Sequence, residues 1–266
     1  MTRLRWVLVV LLLGAAPRAS AEPTRDLTVF AAASLREVFE ALRPAFERAR
    51  PGSTVRFNFA GSQELRTQLE HGASADLLFS ADLKQVEALA KAGLVLSSFV
   101  FARNEPVIVV PRGNPAGIHA LADLAKTKRL VIGAPEVPIG GYTLKIFDAA
   151  GKKYGAALRA RLEAAIVSRE LNVKQVLAKV VLGEADAGVV YRSDALSARD
   201  KVEVVVVPPE LNVVAEYPVA VLKSAVAGPD LAQAWLAVLF SEEGSRALTS
   251  RGFQPRPMTK IPVLGR

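Results

Sequence analysis

Two serines stand where a chain could take hold of an anion. Ser34 follows an apolar strand pattern, Leu27-Thr28-Val29-Phe30, through three alanines, and Ser62 follows Asn58-Phe59-Ala60-Gly61. Behind Ser34 the residues Leu35, Val38, Phe39, Leu42 and Phe46 recur at helical spacing, and Ser34 with Glu37 has the S-x-x-E form of a capping box. A helix start offers unpaired N–H groups and the positive end of the macrodipole, which suits an anion. A serine there also caps a helix with no ligand at all. Two such turns on neighbouring strands would lie side by side at the C-terminal edge of a parallel sheet, where open α/β sheets bind ligands.

Three later stretches offer donors to face them. In Val137-Pro138-Ile139-Gly140-Gly141-Tyr142-Thr143, proline and glycines set a turn into a helix whose start would present the N–H of Ile139. Asn172-Val173 opens another helix, and Val189-Val190-Tyr191 closes a strand on a phenolic hydroxyl. Singly, Ile139 and Val173 read as ordinary apolar residues at helix starts and Tyr191 as a rim tyrosine.

Catalysis has no comparable constellation, and no enzyme is expected. His71 sits at a helix end beside Gly72 and His119 in a Gly/Pro-rich loop, both read as surface residues. Neither serine lies in a G-x-S-x-G elbow, no His cluster offers a zinc site, and Gly140-Gly141 forms neither a dinucleotide fingerprint nor a P-loop. Asp76 and Asp82, flanking a strand end, read as structural carboxylates.

The elements that must position these residues alternate. Strand Leu27–Ala31, a helix from Ser34, strand Thr54–Ala60, helix Ser62–His71, strand Asp76–Ser80 and helix Asp82–Ala92 have the rhythm of a parallel sheet with helices on both faces. Pro44 should kink the first helix or end it early. A second series begins with Pro106–Pro111 and continues through strand Arg129–Ala134, a helix from Gly140, another near Tyr154–Ala164, helix Asn172–Leu182 and strands Ala187–Tyr191 and Val202–Val207. Strand Glu216–Leu222 and helical stretches Pro229–Phe240 and Ser241–Ser250 follow, and a loose tail over Gln254–Arg266 is expected. Pro106–Pro111 and Glu216–Leu222 read as strands carrying the chain between two domains. The fold class is therefore α/β with two mostly parallel sheets: residues 22–106 plus 215–266 in a discontinuous first domain, 107–214 in the second, and a ligand cleft between them.

The first 21 residues read as a secretory signal: Arg3 and Arg5, an apolar run from Trp6 to Ala16, then small residues that place cleavage after Ala21. That run is too short to span a bilayer, and no later stretch approaches the roughly 20 apolar residues a membrane helix needs. The chain has 34 Lys+Arg against 26 Asp+Glu. The leader holds three of the basic residues and none of the acidic ones, leaving +5 after its removal. This scattered excess gives no nucleic-acid surface, although it favours arrival of small anions. The absence of cysteine excludes disulfides, thiolate metal sites and a lipid anchor. A free, monomeric periplasmic protein is expected.

Together, Val29-Phe30-Ala31-Ala32-Ala33-Ser34-Leu35, Ala75-Asp76-Leu77-Leu78-Phe79-Ser80-Ala81-Asp82, Val137-Pro138-Ile139-Gly140, Gly188-Val189-Val190-Tyr191-Arg192-Ser193-Asp194-Ala195 and Glu216-Tyr217-Pro218-Val219-Ala220 resemble the periplasmic molybdate-binding proteins of ABC importers (ModA type). The resemblance implies a hinge-closing receptor that holds a tetrahedral oxyanion, without a cofactor, and delivers it to a membrane permease driven by an ATPase. It implies molybdate contacts from the hydroxyls and N–H groups of Ser34 and Ser62, the N–H groups of Ile139 and Val173, and the hydroxyl of Tyr191. The family commonly has alanine where Ile139 stands, and often a larger basic residue at Gly141. Molybdate and tungstate are not separated by these residues. Sulfate is the nearest alternative ligand, and a hydrolase with Ser34 as nucleophile, or the effector domain of a transcription regulator, the alternatives of another class.

Overall fold

The computed structural model describes residues 25–256; the leader and its cleavage point lie outside the described residues. The chain opens with strand β1 (Asp26–Ala32), helix α1 (Arg36–Ala49), β2 (Thr54–Ala60), α2 (Ser62–Glu70), β3 (Leu77–Phe79) and α3 (Leu83–Lys91). Strand β1 alternates its faces as a sheet covered on both sides must. Leu27, Val29 and Ala31 join the core under α1, whereas Phe30 packs with Leu65, Leu69, Val86 and Leu89 of α2 and α3.

Two strands then follow almost without a break, β4 (Val95–Asn104) and β5 (Pro106–Pro111). The first belongs to one sheet and the second to the other, so the crossing is made at Glu105. The second domain continues with β6 (Leu130–Gly133), α4 (Pro138–Tyr154), α5 (Ala156–Ala164), β7 (Ile166–Glu170), α6 (Val173–Val181), β8 (Ala187–Tyr191), α7 (Arg192–Ser197) and β9 (Val202–Val205). The chain returns in β10 (Ala215–Leu222) and ends in α8 (Pro229–Leu239), α9 (Glu242–Thr249) and a short β11 (Gln254–Pro255).

The first sheet has the order β11-β4-β10-β3-β1-β2 and the second β7-β6-β8-β5-β9. Both are mixed. Strands β2, β1 and β3 run parallel, as do β7, β6 and β8. Beyond them every pairing is antiparallel: β10 with β3, β4 with β10 and β11 with β4 in the first sheet, and β5 with β8 and β9 with β5 in the second. A parallel reading therefore holds for the half of each sheet that ends in the candidate turns. In β1 and β2 the partners Ala32 and Ala60 are in register, which sets Ser34 and Ser62 level with each other at the same edge.

Several sequence expectations are corrected. The crossing is at Glu105, after β4, and not within Pro106–Pro111, which lies wholly in the second sheet; Pro106 itself pairs with Tyr191. Strand β4 escapes the sequence pattern because its burial is irregular and no turn residue separates it from β5. Helix α1 runs through Pro44 to Ala49 rather than ending early. Pro44 and Glu40, whose carbonyl loses its partner, are both exposed, so water can take that bond. The opposite face is held by Phe39 and Phe46 packed edge-on against Trp235 of α8. The tail is not loose at its start, since Gln254 and Pro255 pair with β4; residues 257–266 lie outside the described residues.

Asp76 shows how the first sheet is fastened. Its buried carboxylate accepts the N–H of Thr28 at 2.7 Å, of Val226 at 2.7 Å and of Ala227 at 2.8 Å, joining β1 to the loop before α8. Asp76→Ala leaves three donors without acceptors and is expected to lower stability by about 3 kcal/mol in urea denaturation. A loss below about 1 kcal/mol would show that the carboxylate is dispensable.

Candidate functional site: a donor-lined interdomain cavity

The parallel halves of the two sheets point their C-terminal edges at one another, and the loops beyond them line one small cavity. Ser34 and Ser62 line it from the first domain, and Ile139, Val173 and Tyr191 from the second. Apart from these, its wall is formed by small or apolar residues and Asn172, with no charged side chain.

Each donor is placed by its local structure. Ser34 does not cap a helix. The chain makes a 3-10 turn over Ala33–Leu35, Leu35 occupies the N-cap of α1 without a side-chain cap, and the expected capping box with Glu37 is absent. The Ser34 hydroxyl instead lies 3.0 Å from that of Tyr217 on β10, while Glu37 turns to Lys174 at 2.7 Å. Ser62 is the first residue of α2, and its hydroxyl accepts the N–H of Ala81 at 3.0 Å. The Glu64 carboxylate secures this start by accepting the N–H of Gly61 at 2.8 Å.

In α4, Pro138 at the first position has no N–H to lose, and its fixed φ prepares the turn that follows. The N–H groups of a helix's first turn have no intrahelical acceptor, and Ile139 and Val173 both sit there. Asn172 caps α6 through Gln175, leaving Val173 aside. Gly140 is obligatory, because a Cβ there would overlap the carbonyl oxygens of Gly133 and Ala134, whereas one at Gly141 would meet only Pro135 O at 3.4 Å. The larger side chain of Ile139, compared with alanine, runs toward Gly133 and packs in the core.

Tyr191 closes β8 with 1% of its surface exposed, and its hydroxyl has no hydrogen-bond partner. Burial pushes the phenol well above its ordinary range, so it remains a protonated donor. Its ring meets those of Tyr217 and Tyr142 edge-on at 5.6 and 6.4 Å.

Polar contacts join the domains around the cavity. Gln63 Nε2 donates to Leu171 O at 2.7 Å and Gln85 Nε2 to Glu136 O at 3.4 Å. Lys174 lies 2.7 Å from Glu37 across the domains and 3.0 Å from the fully buried Asp194 within its own. Burial draws the Lys174 ammonium down, but Asp194 and Glu37 outweigh it and hold it above the usual lysine range. Burial pushes Asp194 up, only partly opposed by Lys174.

The family model for bacterial extracellular solute-binding proteins matches residues 27–254. The chain belongs to that family. This solute-binding protein is 42% identical over 239 residues to the molybdate-binding protein ModA of Mycobacterium tuberculosis H37Rv, covering 89% of this chain and 87% of that one. It is 33% identical over 208 residues to the molybdate-binding protein ModA of Escherichia coli K12, covering 74% and 77%. The periplasmic molybdate-binding protein of Azotobacter vinelandii shares its fold, with a TM-score of 0.72 at 22% identity over 85% of this chain and 98% of that one.

All five sequence-predicted residues of this solute-binding protein come together on one cavity. Asp82 caps α3 through Gln85 and Asp76 fastens the sheet, as structural carboxylates. Both histidines are exposed. Sequence reasoning missed Tyr217 behind Ser34, and the Lys174–Glu37–Asp194 cluster. Tyr217 stood in a quoted motif without a role, and Lys174 followed Val173 directly; neither carries a local signal of its partner. Gly140→Ala is expected to destabilise the protein by about 2 kcal/mol or more through overpacking and Gly141→Ala to leave it unchanged, by thermal or urea unfolding; equal effects would contradict the turn geometry.

Proposed function

We propose that the protein is a periplasmic receptor that captures molybdate, and tungstate equally, between its two domains and hands it to an ABC permease and its ATPase. Export behind a leader removed after Ala21, action as a monomer and operation without a cofactor or catalytic step belong to the same reading. The ligand contacts are the hydroxyls and N–H groups of Ser34 and Ser62, the N–H groups of Ile139 and Val173, and the hydroxyl of Tyr191. The observation that carries the reading is the convergence of these donors, from both domains, on one uncharged cavity.

Backbone N–H groups only donate, and Ser62 already accepts from Ala81, so the site suits a ligand that brings acceptors alone. A fully ionised dianion is such a ligand. Hydrogen phosphate carries a proton that needs an acceptor, and an unmatched buried donor costs about 1–3 kcal/mol. Sulfate matches molybdate in charge and is rejected on size. Hydrogen bonds to a charged partner contribute about 1.5–3 kcal/mol each, and micromolar binding needs about 8 kcal/mol. One domain's three or four donors would only about reach that figure before the cost of association is subtracted, so the ion stabilises the closed arrangement in which Gln63 meets Leu171 and Lys174 meets Glu37.

Calorimetric titration of the mature protein with molybdate, tungstate, sulfate and phosphate tests the assignment. Molybdate and tungstate should bind alike and the other two far more weakly; sulfate binding as tightly as molybdate would overturn it. Ser34→Ala, Ser62→Ala and Tyr191→Phe should each weaken molybdate binding by about tenfold or more without unfolding the protein. Because the Tyr191 phenol is held above its ordinary range and the site holds no histidine, affinity should stay level from about pH 7 to 9. A steep fall over that interval would point to a titrating ligand contact instead.

A further inference from the structure

A hydroxyl can accept or donate, so a serine in an oxyanion site selects its ligand only if something fixes the direction of its proton. For Ser62 the N–H of Ala81 does so. A main-chain N–H cannot accept, the serine oxygen takes its hydrogen at 3.0 Å, and the serine's own proton is left for the cavity.

For Ser34 the 3.0 Å approach of the Tyr217 hydroxyl leaves the direction open by itself. Burial settles it. Tyr217 has none of its surface exposed, and among the described residues the Ser34 hydroxyl is the one group that hydrogen-bonds to its own. A phenol proton turned away from Ser34 would be buried without an acceptor, whereas the Ser34 proton has the cavity to point into. Tyr217 therefore donates to Ser34, and Ser34 is left to donate into the cavity. Among the described residues no other hydrogen bond reaches the Ser34 hydroxyl. Tyr217 is fully buried, which keeps its phenol protonated, and its ring is held edge-on by Phe101, Tyr191 and Phe253.

We propose that Tyr217 is a positioning residue that makes Ser34 an obligate donor, and that this ordered pair excludes oxyanions that still carry a proton. The inference rests on the oxyanion-receptor reading and assigns its discrimination to a residue that never touches the ligand. A Ser34 hydroxyl released from Tyr217 could turn and accept the proton of hydrogen phosphate.

The test is a double-mutant cycle read by calorimetry with molybdate and, by competition, phosphate. Tyr217→Phe keeps the ring and removes the donor, so molybdate affinity should fall about fivefold to tenfold while the preference over phosphate narrows. Because Tyr217 acts through Ser34, Ser34→Ala combined with Tyr217→Phe should bind molybdate within about twofold of Ser34→Ala alone. Multiplicative losses would mean that the ring only packs, and unchanged affinity in Tyr217→Phe would equally overturn the proposal. Melting of the ligand-free variants separates folding loss from binding loss. Failure of the unmutated protein to bind molybdate would sink the receptor reading, whereas a weakened Ser34→Ala beside an unaffected Tyr217→Phe would sink this inference alone.

Discussion

Tyr191 carries its hydroxyl to the end of a central strand and into a place where no protein atom accepts its proton. A buried polar group in that position costs about 1–3 kcal/mol unless a partner arrives. The N–H groups of Ile139 and Val173 stand in the same condition at their helix starts, and the two serines have their acceptor capacity engaged elsewhere. Two domains each present a half-set of donors, and neither can satisfy the other's. On the proposed reading a ligand rich in acceptors relieves both at once, which makes closure and recognition one event. The topology follows from this need: only where the sheets run parallel do three strand ends on each side deliver their turns to a common edge.

The linkage between domains is short and well anchored. One crossing passes through Glu105, whose carbonyl accepts the N–H of Arg192 at 2.9 Å and whose carboxylate pairs with the Arg192 side chain. The other ends near Asn212, whose amide donates to Pro106 O at 3.0 Å. Asn104, at the first crossing, donates to the Ser193 hydroxyl of the second domain at 2.8 Å.

Most of the donor turns were legible in the sequence because each is a local event. A strand runs out through alanine or glycine, and a helix starts with a recognisable apolar period; Thr54–Ala60 and Ala187–Tyr191 have the bounds the pattern suggests. What stayed hidden was nonlocal. Ser34 and Glu37 have the spacing of a capping box, yet their partners, Tyr217 and Lys174, lie 183 and 137 residues away, and no local rule weighs those bonds against a cap worth about 1 kcal/mol. Strand β4 was missed because its residues follow neither strict alternation nor a continuous apolar run. The mixed character of the sheets was hidden too, since strand direction depends on which strands pair.

Lys174 follows the donor Val173 directly, and an ammonium beside an anion site invites the idea that it binds the ligand. The geometry argues otherwise. Its charge is shared by two carboxylates, Glu37 at 2.7 Å and Asp194 at 3.0 Å, so the cluster carries no net positive charge toward the cavity. A full charge bonded to the ligand would strengthen capture, but removing the ligand would then strand a half-buried ammonium, and breaking such a pair is costly. In the proposed receptor, with the lysine committed to carboxylates, ligand binding is left to neutral donors, whose bonds water can replace when the domains part. A receptor that must release its cargo as well as hold it gains from that division, the ion pair steadying the closed state while the neutral donors read the ion.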